Sequence, residues 1–453
     1  MSAPAMAVPH GQPAPVSSAR LDSLPRLLPP GASQPESLRA HLGRHGFVPY
    51  RNGRLQLVAD LEAAGLTGRG GAAFPVHRKL TAVAAAGRRP FVVANGAESE
   101  PASRKDVSLL WLAPHLVLDG LQLVAEAVGA AEACLYVHEA DSGPLGQALR
   151  RALSERWGGR IDRVPVRLAS APGRFLAGQE TAMVSLLNGG PALPTYAPPR
   201  PFERGVGGAP TLVQNVETLA HTALIARYGP GWFRQVGTPA EPGSMLATIH
   251  HADGTAHVTE VALGTPLSGP NGAGLIGAGL IGADLAGRSQ AVLIGGYHGS
   301  WVPAGRAAHL TLDNAALNPI GAMVGAGVIA ALPAGRCGLA ETARVVRYLA
   351  LESAGQCGPC LNGLPRIAEA MAELAGPRPG RHVRADVERW AGLIRGRGAC
   401  AHPDGSVRFV RSALEVFSAE LAQHAEGRCP AVPGPPFLPL PAAATPEQDW
   451  SRR

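Results

Sequence analysis

The sequence predicts an α/β fold for the first half of the chain, on two observations. Buried-strand patterns at 91–94, 133–137 and 164–168 alternate with helical patterns at 109–129 and 145–157. This β-α-β-α-β order is typical of an α/β domain. The first strand pattern also runs directly into a polar, acidic turn at 95–101, and open α/β sheets place ligands at such strand ends.

Composition predicts a globular protein of several domains. The chain has 453 residues, which is too long for a single hydrophobic core. Of these residues, 46% are hydrophobic and 17% are charged, as is typical of globular proteins. We find no apolar run of membrane-spanning length and no secretion signal, so we expect a cytoplasmic protein without a direct membrane span. The net charge of +7 comes from scattered arginines, so no nucleic-acid surface is expected.

A glycine-rich stretch at 65–80 is the first candidate site. Its glycines let the backbone adopt positive φ and lie against a ligand, and its peptide N–H groups can form an anion-binding concavity. Two cations in it could contact phosphate oxygens. An ordinary glycine-rich turn explains the pattern equally well. The residues concerned are Gly68, Arg69, Gly70, Gly71 and Lys79.

Two further polar groups stand at predicted helix starts. A helix pattern within 175–187 begins near Gly178, Gln179 and Glu180, and another helix is predicted over 210–233, opening on Gln214 and Asn215. Between them, a connection at 191–210 with six prolines is expected to run extended along the surface.

The second half of the chain predicts a small β-rich domain followed by helices. A β-hairpin is expected from 245–250 and 255–261, with a further strand at 291–295. The repeated G-x-G-x-x-G at Gly272 and Gly277 follows a turn instead of a strand, so we interpret it as a packing segment. Helices are expected at 339–352, 364–374, 383–394 and 412–424.

Cysteine spacing indicates a metal or redox site near the end of the chain. Cys357 and Cys360 form a C-x-x-C pair, and Cys400 lies in a later predicted loop. In a reducing compartment this spacing favours a metal or redox role. Merely buried cysteines are the alternative.

Five motifs in order give the chain a family resemblance. They are GRGGAAFP (68–75), NGAESEP (95–101), AGQETA (177–182), PTLVQNVETLA (210–220) and SAGQCGPC (353–360), with Cys400 beyond them. Together they resemble the flavoprotein subunit of respiratory complex I and the diaphorase subunits of NAD-linked hydrogenases and formate dehydrogenases.

The resemblance implies three folded domains. They are an FMN-binding α/β domain, a small β-grasp-like domain and a C-terminal helical bundle with an iron–sulfur motif. The expected boundaries are a disordered segment at 1–37, the FMN domain at 38–238, the β-grasp-like domain at 239–305, a linker and bundle at 306–430, and a proline-rich tail at 431–453.

The resemblance also assigns site residues by position. Phe74, Glu100 and Glu180 match positions that face the nicotinamide nucleotide, and Cys357, Cys360 and Cys400 match cluster ligands. The residues that match FMN contacts are Gly68, Arg69, Gly70, Gly71, Lys79, Asn95, Glu98, Ser99, Gly178, Gln179, Glu180, Gln214 and Asn215.

Departures from the family pattern weaken parts of this assignment. Ala97 and Gln179 replace acidic residues, and the proline-rich stretch at 197–200 lacks the Lys and Phe that help hold NADH. NADH is therefore a doubtful donor. Ala354 replaces one cluster cysteine, which leaves three thiolates for a [4Fe-4S] or a three-iron cluster, with His402 as a candidate fourth ligand.

The function that the resemblance implies is flavin-dependent electron transfer, as in an NADH dehydrogenase-like oxidoreductase subunit. FMN passes electrons to an iron–sulfur centre and on to a ferredoxin-like or membrane-associated redox protein. That partner would bring the protein to the inner membrane only peripherally. The alternatives are a non-catalytic scaffold that keeps the fold, or a true NADH dehydrogenase with substitute contacts.

Overall fold

Two β-sheets and a C-terminal helical bundle organise the chain, and the predicted α/β architecture is confirmed. The computed structural model describes residues 24–50, 54–196, 198–269, 279–429, 431–432 and 434–441. Residues 270–278, which hold most of the glycine-rich repeat, lie outside the described residues.

The first sheet is fully parallel, with strand order β3-β2-β1-β4. The chain moves outward from β1 to β3 and then crosses back to place β4 on the other side of β1. This reversal creates a topological switch point between β1 and β4, where open α/β sheets bind ligands. The strands are β1 (Phe91–Asn95), β2 (Ala133–His138), β3 (Val166–Ala171) and β4 (Thr211–Asn215).

Strand β4 corrects the prediction of a helix over 210–233. Its residues TLVQN are mostly β-branched or apolar and pair along their whole length with β1. The helix begins only at Val216, where the Asn215 side chain accepts a hydrogen bond from the Glu217 N–H.

Helices cover this sheet. The predicted long helix at 109–129 is in fact two helices, which break at Ala113–Pro114 because Pro disfavours a helical residue before it. The helices are α1 (Leu38–His45), α2 (Arg54–Ala64), α3 (Val76–Ala84), α4 (Lys105–Leu112), α5 (Pro114–Val128), α6 (Pro144–Gly158), α7 (Glu180–Leu187) and α8 (Val216–Phe233).

Among the described residues, no single helix is long and apolar enough to cross a membrane. The pair α4 and α5, bent by 96°, meets the criterion only when taken together, on length and composition.

The second sheet has five strands in the order β6-β5-β9-β7-β8. The predicted hairpin is present as β5 and β6, and β9 runs parallel to β5 in the middle of the sheet. The sheet thus continues to Pro333, beyond the expected boundary at 305. Its elements are β5 (Ser244–His250), β6 (Ala256–Ala262), α9 (Gly282–Leu285), β7 (Ser289–Ile294), β8 (Ser300–Pro303), α10 (Ala304–Ala307), α11 (Asn314–Leu317) and β9 (Val328–Pro333).

The C-terminal bundle follows the second sheet. The helices predicted at 364–374 and 383–394 have those limits in the structure, whereas the last predicted helix corresponds to two, separated at Phe417. The helices are α12 (Gly338–Leu351), α13 (Leu364–Leu374), α14 (Val383–Ile394), α15 (His402–Val416) and α16 (Ser418–Ala425).

Both terminal segments pack where the structure describes them, contrary to the predicted disorder. Leu27 and Leu28 are fully buried, and the N–H groups of Arg26 and Leu27 donate to the Glu260 carboxylate at 2.6 and 2.7 Å. Leu438 in the proline-rich tail is also buried. Such segments lack a periodic pattern, yet single apolar side chains still anchor them. Residues 1–23 and 442–453 lie outside the described part of the chain.

Candidate flavin crevice and cysteine loop

The switch point between β1 and β4 brings the predicted site segments together. Asn95 and Asn215 end these two strands and are partners in the register. The glycine-rich loop reaches the same point, because a Cβ atom on Gly70 would lie 3.3 Å from the Cβ of Asn215. A backbone approach this close favours glycine. We call this region, bounded by residues 68–74, 95–101, 178–180 and 214–217, the crevice.

The glycine-rich loop is closed by its own backbone. The Gly68 N–H donates to the Phe74 carbonyl at 2.9 Å, and the Val76 N–H, at the first residue of α3, donates to the Leu66 carbonyl at 3.1 Å. Gly71 has φ of +99°, which a residue with a side chain rarely adopts. The loop shape therefore depends on glycine.

The Arg69 side chain, which was predicted to contact a phosphate, has partners within the protein in this structure. Its guanidinium is buried and donates to the carbonyls of Ser244 and Pro242 at 3.2 and 3.3 Å and to the Thr67 hydroxyl at 3.0 Å. Arg69 thus ties the loop to the second sheet.

Lys79 is a partly exposed cation beside the loop. Its Nζ lies 3.0 Å from Oε1 of Glu180, and both side chains are partly exposed. The pair joins α3 to the start of α7. Phe74 at the end of the loop is 52% exposed. A phosphate could take the place of the carboxylate on Lys79, because an exposed ion pair is weak.

The turn after β1 packs directly on the start of the α7 segment. The Asn95 amide donates to the Gly178 carbonyl at 2.9 Å. A Cβ atom on Gly178 would lie 2.8 Å from the Ala97 carbonyl oxygen, so only glycine fits there. Ser99 lies in the same turn, with its hydroxyl 3.4 Å from Nε2 of His138.

Three side chains predicted to contact FMN also cap helices. Glu98 accepts from the N–H groups at 106 and 107 of α4, at 3.2 and 3.1 Å. The Gln179 side-chain oxygen accepts hydrogen bonds from the backbone N–H groups at 181 and 182 of α7, at 2.7 and 2.9 Å. Asn215 caps α8. The acceptor oxygens of these residues are therefore occupied, and three positive helix ends meet at this edge of the sheet.

A buried charged network beneath the crevice was missed by the sequence analysis. Lys105 Nζ lies 2.7 Å from Asp106 Oδ1 and 2.8 Å from Glu217 Oε2. The Asn215 amide donates to the other Asp106 oxygen at 2.7 Å. Burial raises the pKa of Asp106 to about 7 despite Lys105. The rarity of lysine in this chain was the available signal, because Lys79 and Lys105 are the only two.

Gln214 carries an unpaired polar atom at the crevice. It lies next to Asn215 at the end of β4 and is 5% exposed. Its Nε2 is buried with no hydrogen-bond partner among the described residues. A buried unpaired donor costs about 1–3 kcal/mol, and a bound group with an acceptor would remove that cost.

Glu100 is held against the second sheet. Its carboxylate accepts from the Tyr297 and Ala102 N–H groups at 2.8 and 3.2 Å. Burial raises its pKa to about 7. The position predicted to face a nicotinamide is therefore occupied by contacts within the protein.

A cavity of about 280 Å³ lies at the carboxyl edge of the first sheet, on the β2 side of the crevice. Gly96, Ser99 and His138 line it from the sheet, and Tyr348 and Glu352 line it from α12. The space therefore lies between the predicted flavin turn and the bundle that carries the cysteines.

The predicted cluster cysteines lie in the loop after α12 and just before α15. The sulfur atoms of Cys357 and Cys360 are 3.9 Å apart. Burial raises the pKa of Cys360 to about 12, and the neighbouring Cys357 and Cys400 thiols add to the shift. Cys357 and Cys360 are therefore direct neighbours in this loop.

His402 is not a free fourth ligand, contrary to the prediction. It is buried, its Nε2 lies 2.9 Å from the Leu349 carbonyl oxygen, and its Nδ1 lies 3.0 Å from Nε2 of His298. The donor set of the described cysteine loop is thus three thiols, with Ala354 at the fourth family position.

Comparison with known proteins decides the family. The second F subunit of NADH-quinone oxidoreductase in Rhizobium meliloti (strain 1021) is 30% identical over 392 residues, covering 83% of this chain and 90% of that protein. The chain belongs to the family of NADH-quinone oxidoreductase F subunits. The corresponding F subunit of Streptomyces coelicolor is 28% identical and covers 86% of each chain.

Two family models match separate parts of this NADH-quinone oxidoreductase homologue. The Nuo51 FMN-binding domain matches residues 61–223, which include the crevice. The NADH-ubiquinone oxidoreductase-F iron-sulfur binding region matches residues 340–424, which include Cys357, Cys360 and Cys400. The predicted flavoprotein family and its FMN and iron–sulfur regions are confirmed. These matches give no support to the scaffold alternative.

Solved structures agree on the fold. A chain of an NAD+-reducing [NiFe]-hydrogenase in the H2-reduced state superposes with a TM-score of 0.70 at 27% identity, covering 81% of the present chain. The air-oxidised form gives a TM-score of 0.71 at 26% identity, covering 88%. The present chain spans 62% and 66% of those hydrogenase chains.

Proposed function

We propose that this chain is an electron-transfer flavoprotein subunit that binds FMN in the crevice and an iron–sulfur cluster on the cysteine loop. The observation that carries the proposal is the meeting of the glycine-rich loop, Asn95, Asn215 and the unpaired Gln214 amide at one switch point. Unrelated motifs would not be expected to meet at the place where this fold class binds nucleotides.

The residues fit a flavin mononucleotide. Lys79 would hold the phosphate, with the loop N–H groups and the start of α3 supplying further positive potential. Gln214 would donate its unpaired amide hydrogen to a polar group of the flavin. Arg69 and Glu98 would contribute indirectly, because their side chains already have protein partners. Arg69 would hold the glycine-rich loop in place, and Glu98 would hold the start of α4.

Bound FMN supplies hydride acceptance and one-electron release. The protein chain would position the flavin and supply the electrostatic potential around it. The Lys105–Asp106–Asn215 network would hold the end of β4 in place against the flavin. The cavity lined by Ser99 of the flavin turn and by Tyr348 and Glu352 of α12 supports a position of the helical bundle next to the flavin turn.

The cysteine loop fits a cluster with three protein thiolates. Each iron of a four-iron cluster takes one thiolate, so Cys357, Cys360 and Cys400 would leave one iron with a ligand from outside this set, or would hold three irons. The relatives' names include NADH, but Glu100 is occupied. We therefore keep NADH as a donor to be tested.

The domain limits follow the sheets in this proposal. The flavin domain spans 38–238, the β-rich domain 239–333 and the helical bundle from 334 onward. Electrons would leave the cluster for a ferredoxin-like or membrane-associated redox protein, as the multi-subunit assemblies named for the relatives suggest.

Anaerobic purification with flavin, iron and sulfide analysis tests the proposal. We expect about one FMN per chain together with a sulfide-containing iron centre. Titration with NADH, without a mediator, then shows whether the flavin band bleaches. A folded protein that takes up neither flavin nor iron and sulfide under reconstitution would overturn the proposal.

A further inference from the structure

A second group of metal-ligating side chains lies away from the cysteine loop. Cys337 immediately precedes α12, His424 lies on α16, and Cys429 follows α16. One ligand atom from each lies within 4.8 Å of the other two. Cys337 and His424 are buried, whereas Cys429 is exposed. None of the three belongs to the motif that carries the iron–sulfur assignment.

The histidine is oriented for metal binding. Its Nδ1 lies 3.0 Å from the Leu374 carbonyl oxygen, so this nitrogen must carry the proton. The other nitrogen, Nε2, then presents its lone pair to Cys337 Sγ, 3.7 Å away. A backbone carbonyl that fixes the tautomer in this way is typical of metal-bound histidine.

The spacing suits a tetrahedral ion. Thiolate and imidazole ligands of Zn²⁺ lie at about 2.3 and 2.0–2.1 Å from the metal, which puts neighbouring ligand atoms about 3.6 Å apart. The observed 3.7 Å between Cys337 Sγ and His424 Nε2 agrees with that value. Two thiolates and one imidazole form a donor set that zinc prefers over magnesium or calcium.

A fourth position is available beside Glu420. Its Oε2 lies 3.4 Å from Cys337 Sγ, while the carboxylate also accepts from the Gly338 and Leu339 N–H groups at 3.2 Å. A cavity of about 230 Å³ adjoins Cys337 and Glu420, so water can reach the group. Either oxygen source would complete four ligands.

We propose that Cys337, His424 and Cys429 bind one Zn²⁺ that ties the segment after α16 to the start of α12. The ion joins residues that are 87 and 5 positions apart in sequence (337 to 424, and 424 to 429). It therefore closes the C-terminal end of the bundle, where the Val432 N–H also donates to the Gly335 carbonyl at 2.8 Å. Its role is structural and separate from electron transfer.

Metal analysis of two single variants tests this site. Cys429→Ser changes an exposed residue and should fold, and Cys400→Ser is the matched control in the cysteine loop. We expect about one zinc per wild-type chain, its loss in Cys429→Ser with iron unchanged, and the reverse pattern in Cys400→Ser. Zinc absent from both wild type and variants after zinc reconstitution would overturn the proposal.

Cobalt substitution gives a readout of the ligands. Co²⁺ added to the metal-depleted wild type should give a sulfur-to-metal charge-transfer band and the visible bands of a tetrahedral site. In Cys429→Ser the charge-transfer band should be weaker or absent. A chelator should lower the melting temperature of the wild type and leave that of Cys429→Ser unchanged. Identical cobalt spectra of the wild type and Cys429→Ser would contradict the proposal.

Discussion

The crevice and the cysteine loop respond differently to sequence divergence. The crevice combines two paired strand ends, glycine backbone and helix caps, and Ala97 and Gln179 stand in it where the resemblance expects acidic residues. The cysteine loop relies on individual thiols, and a single replacement at Ala354 removes one quarter of the ligand set for a four-iron cluster.

The difference shows that the crevice depends mainly on backbone geometry, whereas the cysteine loop depends on individual side chains. Gln179 caps α7 with its amide oxygen, so the backbone at the start of this helix does not require an acidic residue at that position. His402 does not replace the missing thiol, since both of its ring nitrogens are occupied. We therefore expect robust flavin binding beside a labile cluster.

The largest effect should come from Cys360→Ala. Removing a second ligand leaves two thiolates, and we expect nearly complete loss of cluster iron and sulfide with flavin retained. Iron and sulfide analysis beside flavin absorbance checks this. Full iron and sulfide retention would contradict the assignment of the loop.

The converse substitution, Ala354→Cys, sharpens the same comparison. It restores the four-thiolate set, so iron should rise to about four per chain and the cluster should survive brief exposure to air better than the wild type. Electron paramagnetic resonance of the reduced protein would show the change of cluster type.

Lys79→Gln should weaken flavin binding next. Losing a charged hydrogen bond to phosphate costs about 1.5–3 kcal/mol, or roughly a 10- to 150-fold increase in Kd. Arg78→Gln, on the exposed side of the same helix, is the control and should leave Kd unchanged. Fluorescence titration of the apoprotein with FMN measures both; equal affinities would remove Lys79 from the phosphate site.

Gln214→Met should separate stability from binding. It removes a buried donor that has no partner, so apoprotein stability should hold or rise by up to about 1 kcal/mol while FMN binds several-fold more weakly. Gln122→Met is the matched control, because Gln122 donates to the Val164 carbonyl at 2.7 Å and accepts from the Val164 N–H at 3.0 Å.

Denaturant titration and FMN titration of both glutamine variants give the comparison. The control should lose stability and keep FMN affinity. If Gln214→Met destabilises the apoprotein as strongly as the control does, the unpaired amide is not part of the site.

Glu100→Gln should have the smallest effect, on the pH dependence of stability. With its folded pKa raised from 4.5 to about 7, the folded protein holds a proton that the unfolded chain has lost. Stability from this group therefore falls as pH rises from about 4.5 to about 7. In Glu100→Gln, the melting temperature should depend less on pH between about 4.5 and about 7. Asp253→Asn, in the exposed hairpin turn, is the control and should leave the pH dependence in that range unchanged.

The sequence predicted the main elements but not the switch point. Strands and helices with clear periods were found, whereas β4 was hidden in a helix prediction because its five residues run without a break into α8. The role of Arg69 was also missed, since its partners at 242 and 244 are distant in sequence. Motifs indicated which residues belong to the site; only pairing and burial showed which side chains remain free.

Hydrogen–deuterium exchange with and without FMN tests the central claim most directly. We predict that FMN slows exchange in residues 68–79 and 214–217, on both sides of the β1–β4 switch point, with little change in α13 and α14. Protection confined to the cavity around His138 and Tyr348, with the glycine-rich loop unchanged, would contradict flavin binding in the crevice.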